Sequence, residues 1–357
     1  MKKVRKIPIS FCVSAVLTLT ALALLFIAKR SYSFADSLNL GVGAVLRRIF
    51  GIATDLAPFS LFEALVCTLP LILTVFIILA VRAFKRKRKC RFLLHTLAFV
   101  GFVYTLYVLT MGIAYRTTPL DERLSLDARA DISAEELSST LDIIIPELNA
   151  LADEVGFDGK TTVMPYSLDV LSEKISEAYV SVAERYALFK SQSCRAKPIY
   201  FSGAMSSLRI TGIYTFYTGE ANINMAYPDY NLPFTVAHEL AHRHGIMREN
   251  EANFVAFLVC ISSQDSYIRY SGYLNMYEYL ISSLYKADRE LWQAQASRIS
   301  ERAVCDIKAS NAVYEKYASG FVGDISSSIN DMYLQANGTP GVVSYGLVTR
   351  LAVAYYK

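Results

Sequence analysis

The sequence is poor in charge, poor in histidine and without cysteine pairs at metal-binding spacing. Only 19% of its 357 residues are Asp, Glu, Lys or Arg, against 53% hydrophobic, and the mean hydropathy is +0.30. Soluble domains carry about a quarter charged residues. The shortfall excludes a disordered chain or a nucleic-acid tail and points to apolar segments beyond those that fill a core. The six cysteines include no CxxC. Cys12 and Cys67 fall in apolar runs, Cys90 in a basic stretch, and Cys194, Cys260 and Cys305 make an odd set in the C-terminal region. Neither a zinc finger nor a disulfide framework is expected, though one bridge among the last three stays open. There is no internal repeat and no low-complexity tract. The length allows two domains, or one domain plus membrane spans.

The charge that is present is unevenly spread. Residues 1–115 hold 15 Lys and Arg against 3 Asp and Glu, whereas residues 116–357 hold 21 against 29. The basic part is also the apolar part, a combination that fits a membrane and not a nucleic acid. Three runs are long enough to cross about 30 Å of hydrocarbon as helices: residues 8–28, about 62–83 (with a charge-free centre at 64–81) and 92–114. The first is too long for a cleaved signal peptide and no clear small-x-small site follows it, so it is expected to be an anchor. Eleven basic residues (Lys2, Lys3, Arg5 and Lys6, then seven from Arg82 to Arg91) lie before the first run or between the second and third. The interval between the first two runs holds four. By the positive-inside rule the N-terminus is cytoplasmic, and residues 116–357 lie outside the cytoplasmic membrane of a multi-pass protein. The spans lack the paired charges and broken-helix signals of a transporter.

Residues 116–132 are polar and predict a linker, leaving 133–357 as an extracytoplasmic domain. Ser133-Ala-Glu-Glu136 is a capping-box pattern that opens a helix toward residue 154. Leu168, Leu171, Ile175, Val182 and Tyr186 repeat at helical spacing over about 167–190. Residues 197–226 turn β-branched and aromatic, predicting a small antiparallel sheet. From Phe234 to about residue 336 the pattern is helical again. The expected class is α+β, mostly helical.

The chemistry lies in His238-Glu239-Leu-Ala-His242. With 4 His and 17 Glu, a chance HExxH is expected about 0.002 times in this chain. Residues i and i+4 project from one helix face, so both imidazoles reach one tetrahedral zinc ion. Glu239 is placed to accept a proton from water and pass it to a leaving amine. A third ligand is needed. Gly245 can end the helix in a left-handed cap, and a new helix starts near Arg248. Glu249 and Glu251 are about 200° apart on that helix, so only one faces the metal. Asn253 stands one turn from Glu249 on the same face and suits an outer-shell partner for a ligand histidine. Glu249 is therefore preferred, with Glu251 the alternative. His244 lies off the ligand face and suits the helix C-terminus.

His238-Glu-x-x-His242 followed by Glu249-x-x-Ala-Asn253 resembles the gluzincin metallopeptidases. That resemblance implies His238, His242 and Glu249 as ligands of one Zn2+, Glu239 as general base and Asn253 as second-shell residue. It further implies that Glu220, Ala221, Asn222, Ile223 and Asn224 form the edge strand that pairs with substrate. Tyr345 is a weaker candidate for oxyanion stabilisation. With Gly212-Ile-Tyr, Thr218-Gly-Glu-Ala-Asn-Ile-Asn224, Leu232-Pro-Phe, Tyr333-Leu-x-Ala-Asn-Gly and Ser344-Tyr-Gly346, the chain resembles over nearly its full length a bacterial membrane-anchored family termed domain of unknown function 3810. The resemblance implies a zincin-like domain and a zinc peptidase acting on peptide or protein in the cell envelope, with the lipid bilayer as its other partner and no nucleic acid. A catalytically inactive, zinc-stabilised binding or sensing module is the alternative. Substrate and oligomeric state stay open.

Overall fold

The computed structural model describes residues 7–129, 131–189, 192, 194–318, 321–339 and 345–357. The chain divides into two compact units. The first comprises residues 1–117 and the short segment Thr215–Gly219; the second holds the rest.

Among the described residues, five α-helices build the first unit: α1 (Ile9–Ala28), α2 (Tyr32–Leu38), α3 (Ala44–Asp55), α4 (Leu61–Lys85) and α5 (Lys89–Tyr107). The last continues through a π turn (Val108–Gly112) and a 3-10 turn (Ala114–Arg116). Ile9–Ala28, Leu61–Lys85 and Lys89–Arg116 are long and apolar enough to cross a membrane, each within a few residues of the expected run. Small and hydroxyl residues let α1 and α5 approach, as packing between membrane helices requires. Ser14 Oγ donates to the Ala98 carbonyl (2.6 Å) and Thr18 Oγ1 to that of Gly101 (3.0 Å). A Cβ at Gly101 would lie 2.7 Å from Thr18 Oγ1.

The interval between the first two of these apolar helices is itself largely helical. A second π turn, Asn39–Gly43, joins α2 to α3. Arg47 of α3 is buried and donates to the Asn39 and Thr110 carbonyls, at 2.9 Å each, one in each π turn. A buried guanidinium needs such acceptors, and this one ties α3 to the end of the third span. In the returning segment, the Phe216 ring stands 5.5 Å from that of Tyr107. Gly219 has φ 71°, and a Cβ there would meet Phe50 and Gly51 at 3.0 Å.

The second unit begins with α6 (Leu120–Leu124), inside the expected linker, and α7 (Ala134–Glu154), whose capping box forms: Ser133 accepts from the Glu136 N–H while the Glu136 carboxylate accepts from that of Ser133. α8 (Leu168–Tyr186) is capped by Ser167 and stops at Ala187 in the left-handed region, a few residues before the expected end. Then come β1 (Ala196–Ile199), α9 (Ser202–Ser207), β2 (Gly212–Thr215), β3 (Glu220–Asn224), α10 (Asn231–His244), α11 (Glu249–Ile261), α12 (Ser266–Ala287), α13 (Arg289–Ala296), α14 (Glu301–Ala318), α15 (Phe321–Ala336) and α16 (Tyr345–Tyr356). One apolar core runs through α7, α8, α10, α11, α12 and α16. Among the described residues, none of the six cysteines forms a disulfide.

The sheet differs from expectation. Its strand order is β1-β3-β2, and β1 runs parallel to β3, with Ala196 opposite Ala221 and Ile199 opposite Asn224. The chain between them passes through α9 and β2, a crossover that permits parallel pairing. Glu220–Asn224 is thus the central strand with all five residues buried, not a substrate-pairing edge. Its two asparagines donate internally: Asn222 Nδ2 to the Ile213 carbonyl (3.1 Å), and Asn224 Nδ2 to Ser206 Oγ (2.9 Å) and the Ile210 carbonyl (2.8 Å). β2 is an end strand of this order.

Candidate metal centre

α10 is held at three points. Its own N-cap residue, Tyr230, offers no capping side chain. Ser271 of α12 does so instead, accepting from the Phe234 N–H (3.1 Å) and donating to the Tyr230 carbonyl. The hydroxyl of Tyr179, from α8, donates to the Ala237 carbonyl (2.5 Å), and its ring stacks on His244 at 4.3 Å. His244 Nδ1 lies 2.7 Å from the Leu240 carbonyl, which places it at the helix end and away from the other two histidines. Gly245 closes the helix with φ 94°, as its position predicts, and the chain turns back with the Ile246 N–H donating to the Ala241 carbonyl (3.0 Å).

That reversal has a chemical consequence. The Ile246 carbonyl comes to 2.8 Å from His242 Nδ1. A carbonyl only accepts, so Nδ1 carries the proton and the Nε2 lone pair points away from the helix. His242 Nε2 lies 3.2 Å from His238 Nε2 and 3.6 Å from Glu249 Oε1, and His238 Nε2 lies 3.2 Å from Glu249 Oε2. Ligands at about 2.0–2.1 Å from a tetrahedral ion stand about 3.3–3.4 Å apart. The three separations approximate the edges of one such tetrahedron. His238, His242 and Glu249 are also the one group of three or more His, Cys, Asp or Glu among the described residues able to hold a metal ion together. The side chain of Glu249 is 31% exposed while that of His242 is 7% exposed, so the cluster opens to solvent on the carboxylate side.

The electrostatics suit a cation at that point. Burial pushes His242 down to about 4 even beside Glu249, so its imidazole is neutral at pH 7. Burial also opposes the charged form of His238, but the Glu249 carboxylate outweighs it and holds that ring above its ordinary value. Glu249 itself is held at about 2: burial would raise it, and the His242 and His238 rings more than offset that.

Glu251 is turned elsewhere. Its Oε1 accepts from Arg248 Nη1 (2.6 Å) and from the Leu120 N–H (3.1 Å). Burial raises its pKa against these partners. Asn253 stands beside the His238 ring and favours its charged form, but His238 Nδ1 has no partner within hydrogen-bond geometry among the described residues. The outer-shell acceptor observed is the Ile246 carbonyl on His242. The side chain of Tyr345 lies outside the described residues.

Glu239 is 4% exposed and points toward β2. Burial lifts its carboxyl to about 8; His238 works against this, Glu249 adds to it, and the Tyr214 N–H, donating to the carboxylate, opposes it. A Cβ at Gly212 would fall 2.6 Å from Glu239 Oε1. Of these neighbours, Ile246 carried only the signal of a chain reversal after Gly245. Gly212 and Tyr214 carried none tying them to Glu239.

Residues 37–353 match the family described as Protein of unknown function (DUF3810). The chain belongs to this family. The match takes in the second and third apolar helices, the sheet and every residue of the centre described above. No curated protein and no solved structure matches the chain.

Proposed function

We propose that this member of the DUF3810 family is a membrane-anchored, zinc-dependent metallopeptidase with a zincin-like domain, hydrolysing peptide bonds on the outer face of the cytoplasmic membrane. The carrying observation is the convergence of His238, His242 and Glu249 at tetrahedral spacing with Glu239 next in sequence to one of them. Two neutral-capable imidazoles and one carboxylate are the donor set of hydrolytic zinc sites with an open position. The excess of basic residues before the first span and between the second and third supports the outward placement.

Bound there, zinc would supply Lewis-acid polarisation of water and of a scissile carbonyl. The chain supplies the rest. A cation held by the triad would favour the carboxylate form of Glu239, which without one is lifted to about 8. In that form Glu239 accepts the proton of the attacking water and returns it to the amine nitrogen as the C–N bond breaks. The Tyr214 N–H steadies that carboxylate. The Ile246 carbonyl fixes the tautomer of His242. β2, the end strand beside Glu239, is where an extended peptide backbone would pair.

Full-length protein in detergent is expected to retain about one zinc ion per chain. Glu239→Gln should keep the metal and lose about 100- to 10,000-fold in hydrolysis of a quenched-fluorescent peptide library. His242→Ala should lose the metal. Folded wild-type protein that takes up no zinc would overturn the proposal. Metal retention with function indifferent to Glu239→Gln would favour a zinc-stabilised binding module.

A further inference from the structure

Glycine is demanded at a position either by backbone conformation or by space, and Gly212 separates the two. Its backbone lies outside the left-handed region, so alanine can adopt the same dihedral angles. Space is the constraint. A Cβ there would lie 2.6 Å from Glu239 Oε1, 2.7 Å from its Cγ and 2.9 Å from its Cδ. The three nearest atoms all belong to one side chain. Two residues along the strand, the Tyr214 N–H donates to the same carboxylate. β2 thus meets Glu239 twice, once through a missing side chain and once through a backbone donor.

We propose that Gly212 is a positioning residue for Glu239. The bare backbone of β2 forms the seat against which the proton-accepting carboxyl is pressed, and the Tyr214 N–H fixes its orientation there. This rests on the metallopeptidase reading and adds to it a strand that no ligand pattern marks. A glutamate on a helix has several soft side-chain torsions, and a displacement of about 1 Å at a reacting group costs about 100-fold in rate. β2 is held by β3, and α10 by α8 and α12. A Cβ at 212 therefore moves the free end of Glu239 before it moves either backbone. His238, His242 and Glu249 keep their arrangement, because the volume that the Cβ claims belongs to Glu239.

Two measurements on the full-length protein in nanodiscs test this. The first is steady-state hydrolysis of the peptide library together with zinc content. Gly212→Ala should hold as much zinc as wild type, keep KM within about twofold and lower kcat about 100-fold. The second is a thermal double-mutant cycle that needs no activity. Gly212→Ala should lower Tm in the wild-type background and leave it unchanged or raised in the Glu239→Ala background, where the added methyl fills the space left by the carboxyl. A purely structural role for Gly212 would lower Tm equally in both. Equal losses, or a Gly212→Ala kcat within threefold of wild type, overturn the proposal. Wild-type protein that neither binds zinc nor cleaves would instead sink the metallopeptidase reading, and the Tm cycle would still decide whether Gly212 seats Glu239.

Discussion

Helices α4 and α11 are both strongly apolar, and they end in opposite surroundings. None of the described residues of α4 is buried, and Leu71 and Ile77 are 65% and 60% exposed. In α11 the apolar side chains from Phe254 to Cys260 are sealed. Length separates them first: 25 residues span a bilayer, whereas 13 do not. Polar partners separate them further. α11 opens with Glu249 and Glu251, and each finds its partners inside the second unit. Hydrophobicity says that a helix leaves water; length and polar partners say what it enters. The inversion extends to side-chain size. In α1 and α5 the buried residues are small or hydroxyl-bearing (Ser14, Ala21, Ala28, Ala98 and Thr105), while large apolar ones such as Val16, Leu19, Phe99 and Val100 are exposed.

The sharpest way to break this comparison is to make the same kind of deletion in both helices. Phe257→Ala in α11 should cost about 3–5 kcal/mol in chemical or thermal unfolding. Leu71→Ala in α4 should change stability by less than about 0.5 kcal/mol in bicelles. Equal costs would mean that α4 is packed against protein. A smaller effect concerns charge inside the second unit. Burial raises Glu278 to about 7 from an ordinary 4.5, against the opposing hydroxyl of Tyr230. The folded state therefore holds that proton more tightly than the unfolded chain does. Stability from this group is full below pH 4.5 and is lost as pH rises toward 7. Glu278→Gln should flatten the fall in Tm across that window, and an unchanged slope would count against the assignment. The smallest effect belongs to the first unit. Thr18→Val removes a donor to the Gly101 carbonyl and an acceptor for Thr105 Oγ1, and should cost about 0.6 kcal/mol per bond in bicelle unfolding.

Features set by a short stretch of chain were legible before any fold was known. The three apolar runs, the Ser133 capping box, the left-handed Gly245 and the i, i+4 histidines each depend on a handful of adjacent residues. The helices α2 and α3 were missed because their anchor, Arg47, looks like any loop arginine until the Asn39 and Thr110 carbonyls are in place. The central position of Glu220–Asn224 was missed because strand order depends on how a crossover packs, and alternation of side chains does not report it.

Run length, capping chemistry and helical spacing are local quantities, so reading residues in order was enough to place the spans and one pair of imidazoles. The choice between Glu249 and Glu251 was different in kind. Both sit in the first turn of the same helix, and what separates them is a backbone N–H at Leu120, 131 positions away. The seating of Glu239 against Gly212 likewise joins a helix to a strand that reaches it only through the fold. Contacts of that range arise from packing, where space and unpaired hydrogen bonds select one arrangement out of several that the residues alone would permit.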